Sequence, residues 1–321
     1  MIDKTKTGWR IRHLRINHGL SQEELAKELN ISVQAVSKWE QGKSLPDIEI
    51  LLMLSKKFKI SINEILEGKD ILSSVLNSEI SEGEIPNFVD NSSLIDVEWE
   101  SDMIQQEWVK DNWIYHNENY ADFEKVAKRI NEHGGVILEL GAGPGGGIMP
   151  AVLINNLEAC IIISDISAIV VNEWKKLLDK ERFPNVHYVV VNNCELPFND
   201  NSIDVISTRG GIGNTLGDKE LAIKEVYRVL KKEGLFVCSE GFVTKETLSS
   251  FPVDIQEILK EKMPSVFENY YEVCVTAGFK TIDTELGNNW STKDDDSEIA
   301  TIARELGIEI TFTGYMRYCI K

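Results

Sequence analysis

The run Val136-Ile-Leu-Glu-Leu-Gly-Ala-Gly-Pro-Gly-Gly146 places glycines at 141, 143 and 146, a G-x-G-x-x-G pattern directly after an apolar stretch of strand length. Glycines at this spacing let the backbone turn tightly and approach the polar groups of a ligand. Asp165 lies 22 residues beyond Gly143 at the end of the next apolar run, where an acidic side chain suits ribose hydroxyls. Together they predict a nucleotide-cofactor site. The pattern alone leaves the chemistry open, because nicotinamide-dependent dehydrogenases share it. His116, Glu240 and Tyr271 are side chains able to move protons, but no neighbouring pattern singles one out, and no catalytic residue is assigned. The five cysteines (160, 194, 238, 274 and 319) and the five histidines show no paired or ligand-like spacing. Reduced thiols and no metal site are expected.

A second constellation lies at the start of the chain. Between Trp9 and Leu66 the apolar spacing breaks into five short helices, with Gly19-Leu20 separating the first two. Ser21 with Glu24 three residues on forms a capping box. Asn30-Ile31 makes a turn, Ser32 caps a third helix whose inner face is Val36 and Trp39, and Gly42 stops it. A fourth helix is predicted near Asp47 and a fifth after Ser61. The run Leu20-Ser-Gln-Glu-Glu-Leu-Ala-Lys-Glu-Leu-Asn-Ile-Ser-Val-Gln-Ala-Val-Ser-Lys-Trp-Glu-Gln-Gly42 resembles the Cro/repressor-type (XRE-like) helix-turn-helix family over residues 8–67. That resemblance implies that the third helix enters the major groove of double-stranded DNA. Gln34 and Lys38 are then base readers, and Val33 is placed to touch a thymine methyl. Gln22, Ser32, Ser37 and Lys43 contact the backbone. Arg15 and Glu40 resemble an ion pair tying the first helix to the third, Trp39 is core, and a homodimer on a pseudo-palindrome is implied.

After Gly134-Gly135, strand-like and helical runs alternate. Strands are predicted at 136–140, 160–164, 187–191, 204–208, 235–239, 280–285 and 311–320, with helices such as 169–180 and 219–230, a doubly wound α/β pattern. Three runs narrow the reading: Leu138-Glu-Leu-Gly141, Asn192-Asn-Cys-Glu-Leu-Pro-Phe-Asn-Asp-Asn-Ser-Ile-Asp-Val205, and Glu225-Val-Tyr-Arg-Val-Leu-Lys-Lys-Glu-Gly-Leu-Phe236. As a set they resemble class I S-adenosylmethionine-dependent methyltransferases of the small-molecule, ubiquinone-biosynthesis type, over roughly residues 130–285. The resemblance implies a Rossmann-like, seven-stranded sheet whose last strand is antiparallel, and S-adenosyl-L-methionine as cofactor. It implies a cradle of Gly141, Ala142 and Gly143, supported by Glu139. It puts Asp165 on the ribose and Ile166 against the adenine. Asn192, Asn193 and Cys194 line the adenine edge, and Thr208 with Arg209 borders the cofactor. Asn192 stands where the family usually carries Asp, so it offers an amide carbonyl in place of a carboxylate.

Fold class and organisation follow: an N-terminal all-α helix-turn-helix domain (1–69), a linker with one short helix (70–93), and a C-terminal α/β class I methyltransferase domain (94–321). A helical cover rich in aromatics occupies 94–131, with Trp99, Trp108, Trp113, Tyr115, Tyr120 and Phe123. The formal charge of −18 divides unevenly: residues 1–70 hold 12 Lys/Arg and 10 Asp/Glu, and the rest 22 and 42. The acidic remainder argues against nucleic-acid binding by the second unit. After strand four, Ser207-Thr-Arg-Gly-Gly-Ile-Gly-Asn-Thr215 is not the Asn-Pro-Pro-Tyr loop of amino-methylating DNA enzymes. No Pro-Cys nucleophile serves a cytosine enzyme either. The polar start, Met1-Ile-Asp-Lys-Thr-Lys, predicts no signal peptide, and no apolar run approaches bilayer length; a cytoplasmic protein without membrane contact is expected. Two functions fit the join. One is a small-molecule methyltransferase fused to a DNA reader with a regulatory role; the other is a ligand-sensing regulator with little or no catalysis.

Overall fold

The computed structural model describes residues 2–67, 71–78, 84–89, 107–157, 159–181, 183, 185–215, 217–243, 245–262, 270–294 and 298–321. Five helices form the N-terminal unit: α1 (Lys4–Asn17), α2 (Gln22–Glu28), α3 (Val33–Glu40), α4 (Ile48–Phe58) and α5 (Ile62–Leu66). Each begins with a polar side chain (Asp3, Ser21, Ser32, Asp47, Ser61) accepting from the otherwise orphaned N–H groups of the first turn. Ser21 with Glu24 and Ser61 with Glu64 make full capping boxes. Asn30 turns the chain between α2 and α3 at φ +53°, a conformation that Asn tolerates better than most side chains. Ile11, Leu25, Val36, Leu54 and Ile65 are fully buried between the helices, with Trp39 close behind. α1 crosses α3 so closely that a Cβ on Gly8 would lie 1.9 Å from the Trp39 carbonyl oxygen.

The larger unit is built on seven strands: β1 (Val136–Glu139), β2 (Cys160–Asp165), β3 (Val186–Val190), β4 (Ile203–Arg209), β5 (Leu230–Phe242), β6 (Lys280–Ser291) and β7 (Thr311–Ile320). They are ordered β3-β2-β1-β4-β5-β7-β6. The first five are parallel, and β7 inserts antiparallel to both neighbours. Both faces of the central parallel strands are covered, so these strands are largely apolar and alternate residues serve opposite cores. Leu138, Ile162 and Phe236 point one way, whereas Ile137, Ile161 and Val237 point the other. β5 begins five residues before its expected start, where Leu230 pairs with Ile203 of β4, and β5 runs on to Phe242 and β6 to Ser291 because β7 pairs along both. Strand length here is set by the partner's reach, which no local pattern encodes.

On one face lie α8 (Tyr120–His133), α9 (Met149–Asn155) and α10 (Ala168–Glu181), contributing Ile130, Val152, Val171 and Trp174 to the core. α7 (Trp108–Glu118) precedes them; the rest of the predicted aromatic cover, including Trp99, falls outside the described residues. The opposite face is covered by α11 (Lys219–Val229), by α14 (Tyr270–Ala277) and by a third, unexpected contributor. That contributor is α6 (Ile71–Val75), inside the stretch read as a linker.

Ile71, Leu72, Val75 and Leu76 are buried in the same cluster as Leu196 and Phe198. Leu76 and Phe198 form an antiparallel bridge. Asn77 N–H donates to the Pro197 carbonyl at 2.9 Å and Asn199 N–H to that of Val75 at 2.7 Å. Further along, Val190 N–H donates to the Pro86 carbonyl and Phe88 N–H to the Val190 carbonyl, each at 2.9 Å, so residues 86–88 pair with the edge of β3. Polar composition hid this strap, because a handful of apolar residues within it does the docking. α12 (Lys245–Ser250), α13 (Val253–Lys262) and α15 (Glu298–Glu305) carry a small satellite core around Leu248, Leu259 and Ala303. Phe198 is fully buried under the strap. Phe198→Ala is expected to destabilise the larger unit by about 3–5 kcal/mol, read as a lower urea midpoint without a change in slope.

Candidate functional site

The C-terminal ends of β1, β2, β3 and β4 converge where an open α/β sheet binds its ligands. Glu139, the last residue of β1, is completely buried. Its Oε1 accepts from the Ile148 N–H at 2.9 Å, just before α9, and its Oε2 from the Ser207 hydroxyl on β4. Gly147, at φ +60°, has to be glycine: a Cβ there would sit 1.8 Å from Glu139 Oε1. Burial pushes the Glu139 carboxyl up to about 7, against the pull of the bonds from Ser207 and Ile148 and of the Arg209 charge. The expected role of Glu139 as support of the glycine loop is therefore a concrete geometry.

The loop itself leaves β1 at Gly141 and reaches left-handed backbone at Gly143, φ +54°. The Gly143 N–H donates to Asp165 Oδ2 at 2.8 Å, and the Ser167 N–H donates to Oδ1 at 2.9 Å. Asp165 thus braces the loop with both carboxylate oxygens. Ala142 is buried in the core beneath the loop, and Ile166 packs partly against the same cluster. Asn192 ends the third strand's extension in a tight turn, its Oδ1 accepting from the Cys194 N–H at 2.9 Å and its carbonyl from the Glu195 N–H at 3.0 Å. Asn193 Nδ2 reaches the Gly211 carbonyl at 3.2 Å and the Thr215 hydroxyl at 3.1 Å, tying that turn to the loop after β4. The Cys194 thiol donates to the Asp218 carbonyl at 3.2 Å, and burial raises its pKa. Thr208 is fully buried; its hydroxyl donates to the Leu140 carbonyl at 2.9 Å and accepts from the Gly211 N–H, stapling β4 to β1. So all ten residues singled out for this site do gather at one edge of the sheet, while Thr208 and Cys194 spend their polar atoms on the frame.

Two family models match the chain: the helix-turn-helix family over residues 11–65 and the ubiE/COQ5 methyltransferase family over residues 118–270. The chain joins a helix-turn-helix domain to a methyltransferase-family domain. A ubiquinone/menaquinone biosynthesis C-methyltransferase of Rickettsia prowazekii is 44% identical over 93 residues, covering 29% of this chain and 36% of that protein. Its counterpart in Rickettsia felis is 34% identical over 132 residues, 39% of this chain and 51% of that protein. At the other end, the HTH-type transcriptional activator BcrR of Enterococcus faecalis is 41% identical over 64 residues, 20% of this chain and 31% of that protein. The matched part thus spans between about a third and a half of the length of these relatives. Among solved structures, the YcgJ protein of Bacillus subtilis aligns with a TM-score of 0.49 at 16% identity, covering 63% of this chain and 99% of that one.

In the helix-turn-helix domain, Gln34 and Lys38 are exposed one turn apart on α3, which puts them on a common face. Lys43 is exposed just past the helix, and Val33 is half-buried against the domain core. Ser32 is exposed and caps the Ala35 N–H; the Ser37 hydroxyl accepts from Gln41 Nε2 at 2.9 Å. The Arg15–Glu40 pair forms as a fork, at 2.6 and 3.0 Å, with a third guanidinium bond to the Leu20 carbonyl. Gln22 Nε2 also donates to Glu40, at 2.7 Å, so this side chain is tied into the clamp between α1, α2 and α3. No helix among the described residues is long and apolar enough to cross a membrane.

Several residues that build the candidate site carried no signal in the sequence. Trp174 on α10, fully buried, donates its indole N–H to the Gly143 carbonyl at 2.8 Å and packs where a Cβ on Gly146 would clash. Ser207 holds Glu139, and Asn112 on α7 donates to the Pro144 carbonyl at 3.2 Å. Their partners lie far off in sequence, so only folding reveals them. The raised Glu139 carboxyl has a direct consequence for stability. The folded state keeps a proton that the unfolded chain releases near pH 4.5, so this contribution is full below that pH and is lost as pH rises through about 7. Glu139→Gln is expected to remove this fall in unfolding midpoint between pH 5 and pH 8.

Proposed function

We propose that the larger domain is an S-adenosyl-L-methionine-dependent methyltransferase acting on a small molecule, and that the N-terminal domain reads double-stranded DNA and gives the chain a regulatory role. The observation that carries this reading is the cradle at the β1–β2 edge. A glycine loop in left-handed backbone is braced on Asp165 and underlain by a buried Glu139, in a domain that matches a methyltransferase family. The residues fit the cofactor. Loop N–H groups suit its methionine part and the Asp165 carboxylate at the end of β2 its ribose, Ile166 offers an apolar wall for the adenine, and the Asn192 turn borders it. When bound, the cofactor supplies an electrophilic methyl group on a sulfonium. The chain's own part is to orient that group, exclude water and hold the acceptor in line. A calorimetric titration tests the cofactor: S-adenosylmethionine is expected to bind the wild type, NAD is not, and Asp165→Ala is expected to abolish binding.

A second reading has its own support. The strap segments 71–78 and 84–89 follow α5 in sequence and are hydrogen-bonded on both sides of the Asn192 turn, at Val190 and at Pro197–Asn199. A ligand that rearranges this turn acts on the connector to the DNA-reading domain, so cofactor occupancy and DNA affinity are coupled reciprocally if the two states bind DNA differently. This is the ligand-sensing regulator. Selection of an operator from a random DNA library with and without S-adenosylmethionine separates the two, alongside transfer of a labelled methyl group to a metabolite extract. In the same selection, Gln34→Ala is expected to cost about 1–3 kcal/mol and to relax choice at one base pair. Lys43→Ala is expected to weaken all sequences alike.

We further read residues 1–69 and 94–321 as the two working domains, in a homodimeric protein of the cytoplasm. The strap belongs mechanically to the larger domain. Two DNA-reading copies per assembly supply the affinity that one small module lacks; sedimentation at micromolar concentration tests the dimer.

A further inference from the structure

Arg209, the last residue of β4, is exposed. Residues beyond 70 hold 22 Lys/Arg against 42 Asp/Glu, so a cation in this unit has many carboxylates to choose from. Arg129 pairs with Asp283, and Arg228 with Glu225 and Asp200, each at 2.7 Å. Arg209 forms no such pair among the described side chains. Its guanidinium lies over the Phe123 ring of α8, 5.6 Å from the centroid. A guanidinium that meets a ring through its flat face keeps its in-plane N–H fork for another partner.

The backbone presents this side chain from a fixed frame. The Thr208 hydroxyl bonds to the Leu140 carbonyl on one side, and the Gly210 N–H donates to the Ser239 carbonyl of β5 at 2.8 Å on the other. Gly210 then turns in left-handed backbone, φ +73°, and Gly211 passes so close to the glycine loop that a Cβ on Gly141 would lie 3.1 Å from its Cα. Arg209 therefore stands beside the start of that loop. Side chains two apart on a strand share a face, so Arg209 follows Val205 and Ser207 onto the side of the sheet that α8 covers. Its charge is felt at Glu139 beneath the loop and at His116 on α7.

The nucleoside part of the cofactor is read above onto Asp165 and the Asn192 turn, at the ends of β2 and β3. The end of β4 lies across β1 from them, on the side left for the acceptor. The surroundings there suit an organic anion. Phe123 and Tyr115, edge to face at 6.4 Å and the latter 47% exposed, offer an aromatic wall. One guanidinium balances one negative charge, and its fork matches the two oxygens of a carboxylate. A phosphate dianion brings a second charge into a unit already rich in acids.

We propose that Arg209 binds the carboxylate of an organic-acid methyl acceptor through its N–H fork, and so holds that molecule beside the glycine loop. The proposal rests on the methyltransferase reading and narrows its substrate class to carboxylates with an apolar body.

The test is calorimetry on the full chain saturated with S-adenosylhomocysteine. Benzoate is the probe, and benzyl alcohol, benzylammonium and phenyl phosphate are the controls. Benzoate is expected to bind more tightly than all three, and more weakly as salt rises. Arg209→Gln is expected to weaken benzoate about 10- to 100-fold, the worth of a charge-assisted pair. Arg209→Lys, which keeps the charge without the fork, is expected to recover part of that loss. The affinity of Arg209→Gln for S-adenosylhomocysteine is expected to fall by less than about 3-fold. Benzoate that fails to bind, benzoate binding indifferent to Arg209→Gln, or a preference for phenyl phosphate or a control without negative charge overturns the proposal alone. A 10-fold fall in S-adenosylhomocysteine affinity in Arg209→Gln overturns it too, by giving Arg209 to the carboxylate of the cofactor itself. A wild type that binds no S-adenosylhomocysteine overturns the methyltransferase reading, and the proposal with it.

Discussion

The larger domain depends on one buried carboxylate. Glu139 joins three elements that otherwise only abut: the end of β1 that carries it, Ser207 on β4, and the Ile148 N–H at the start of α9. Burying an acid is costly unless its lone pairs are satisfied, and here both oxygens are, by donors from two directions. The consequence is geometric. With Glu139 in place, the backbone from Leu140 to Gly147 has a single route over the sheet edge, and Gly147 must be glycine to pass it. Trp174 from one side and Asp165 from the other then pin Gly143. The cradle is therefore braced by the chain's own side chains.

The same economy recurs in the DNA-reading domain, where Glu40 plays the corresponding part. It accepts from Arg15 on α1 and Gln22 on α2 while sitting on α3. One carboxylate thus ties α3 to the two helices that support it. Gln34 and Lys38 stay exposed because the opposite face of α3 is consumed by Val36, Trp39 and Glu40. In both domains an apolar core sets where the elements lie, and a buried, fully bonded acid sets how their functional ends meet.

Between the two lies a segment whose composition disguised its role. Ser, Asn, Glu and Gly dominate from Lys69 onward, yet Ile71, Leu72, Val75 and Leu76 suffice to dock it beneath the sheet. Its hydrogen bonds straddle the Asn192 turn, so the connector and the predicted adenine edge share a mechanical frame.

Much was legible in the residues alone. The five N-terminal helices announced themselves through caps and stops, because capping is a local affair between a side chain and the next three N–H groups. The glycine loop, Asp165 and the alternation of strands and helices were legible for the same reason, as was the Arg15–Glu40 pair through its motif. What the sequence could not disclose were contacts between distant stretches. Trp174 under the loop, Ser207 on Glu139, the length of β5 and β6 along β7, and the strap on Phe198 all depend on which elements become neighbours. Local chemistry writes its signature in spacing; the partners of a buried polar atom are chosen only when the chain folds, since only then is there no water left to satisfy it.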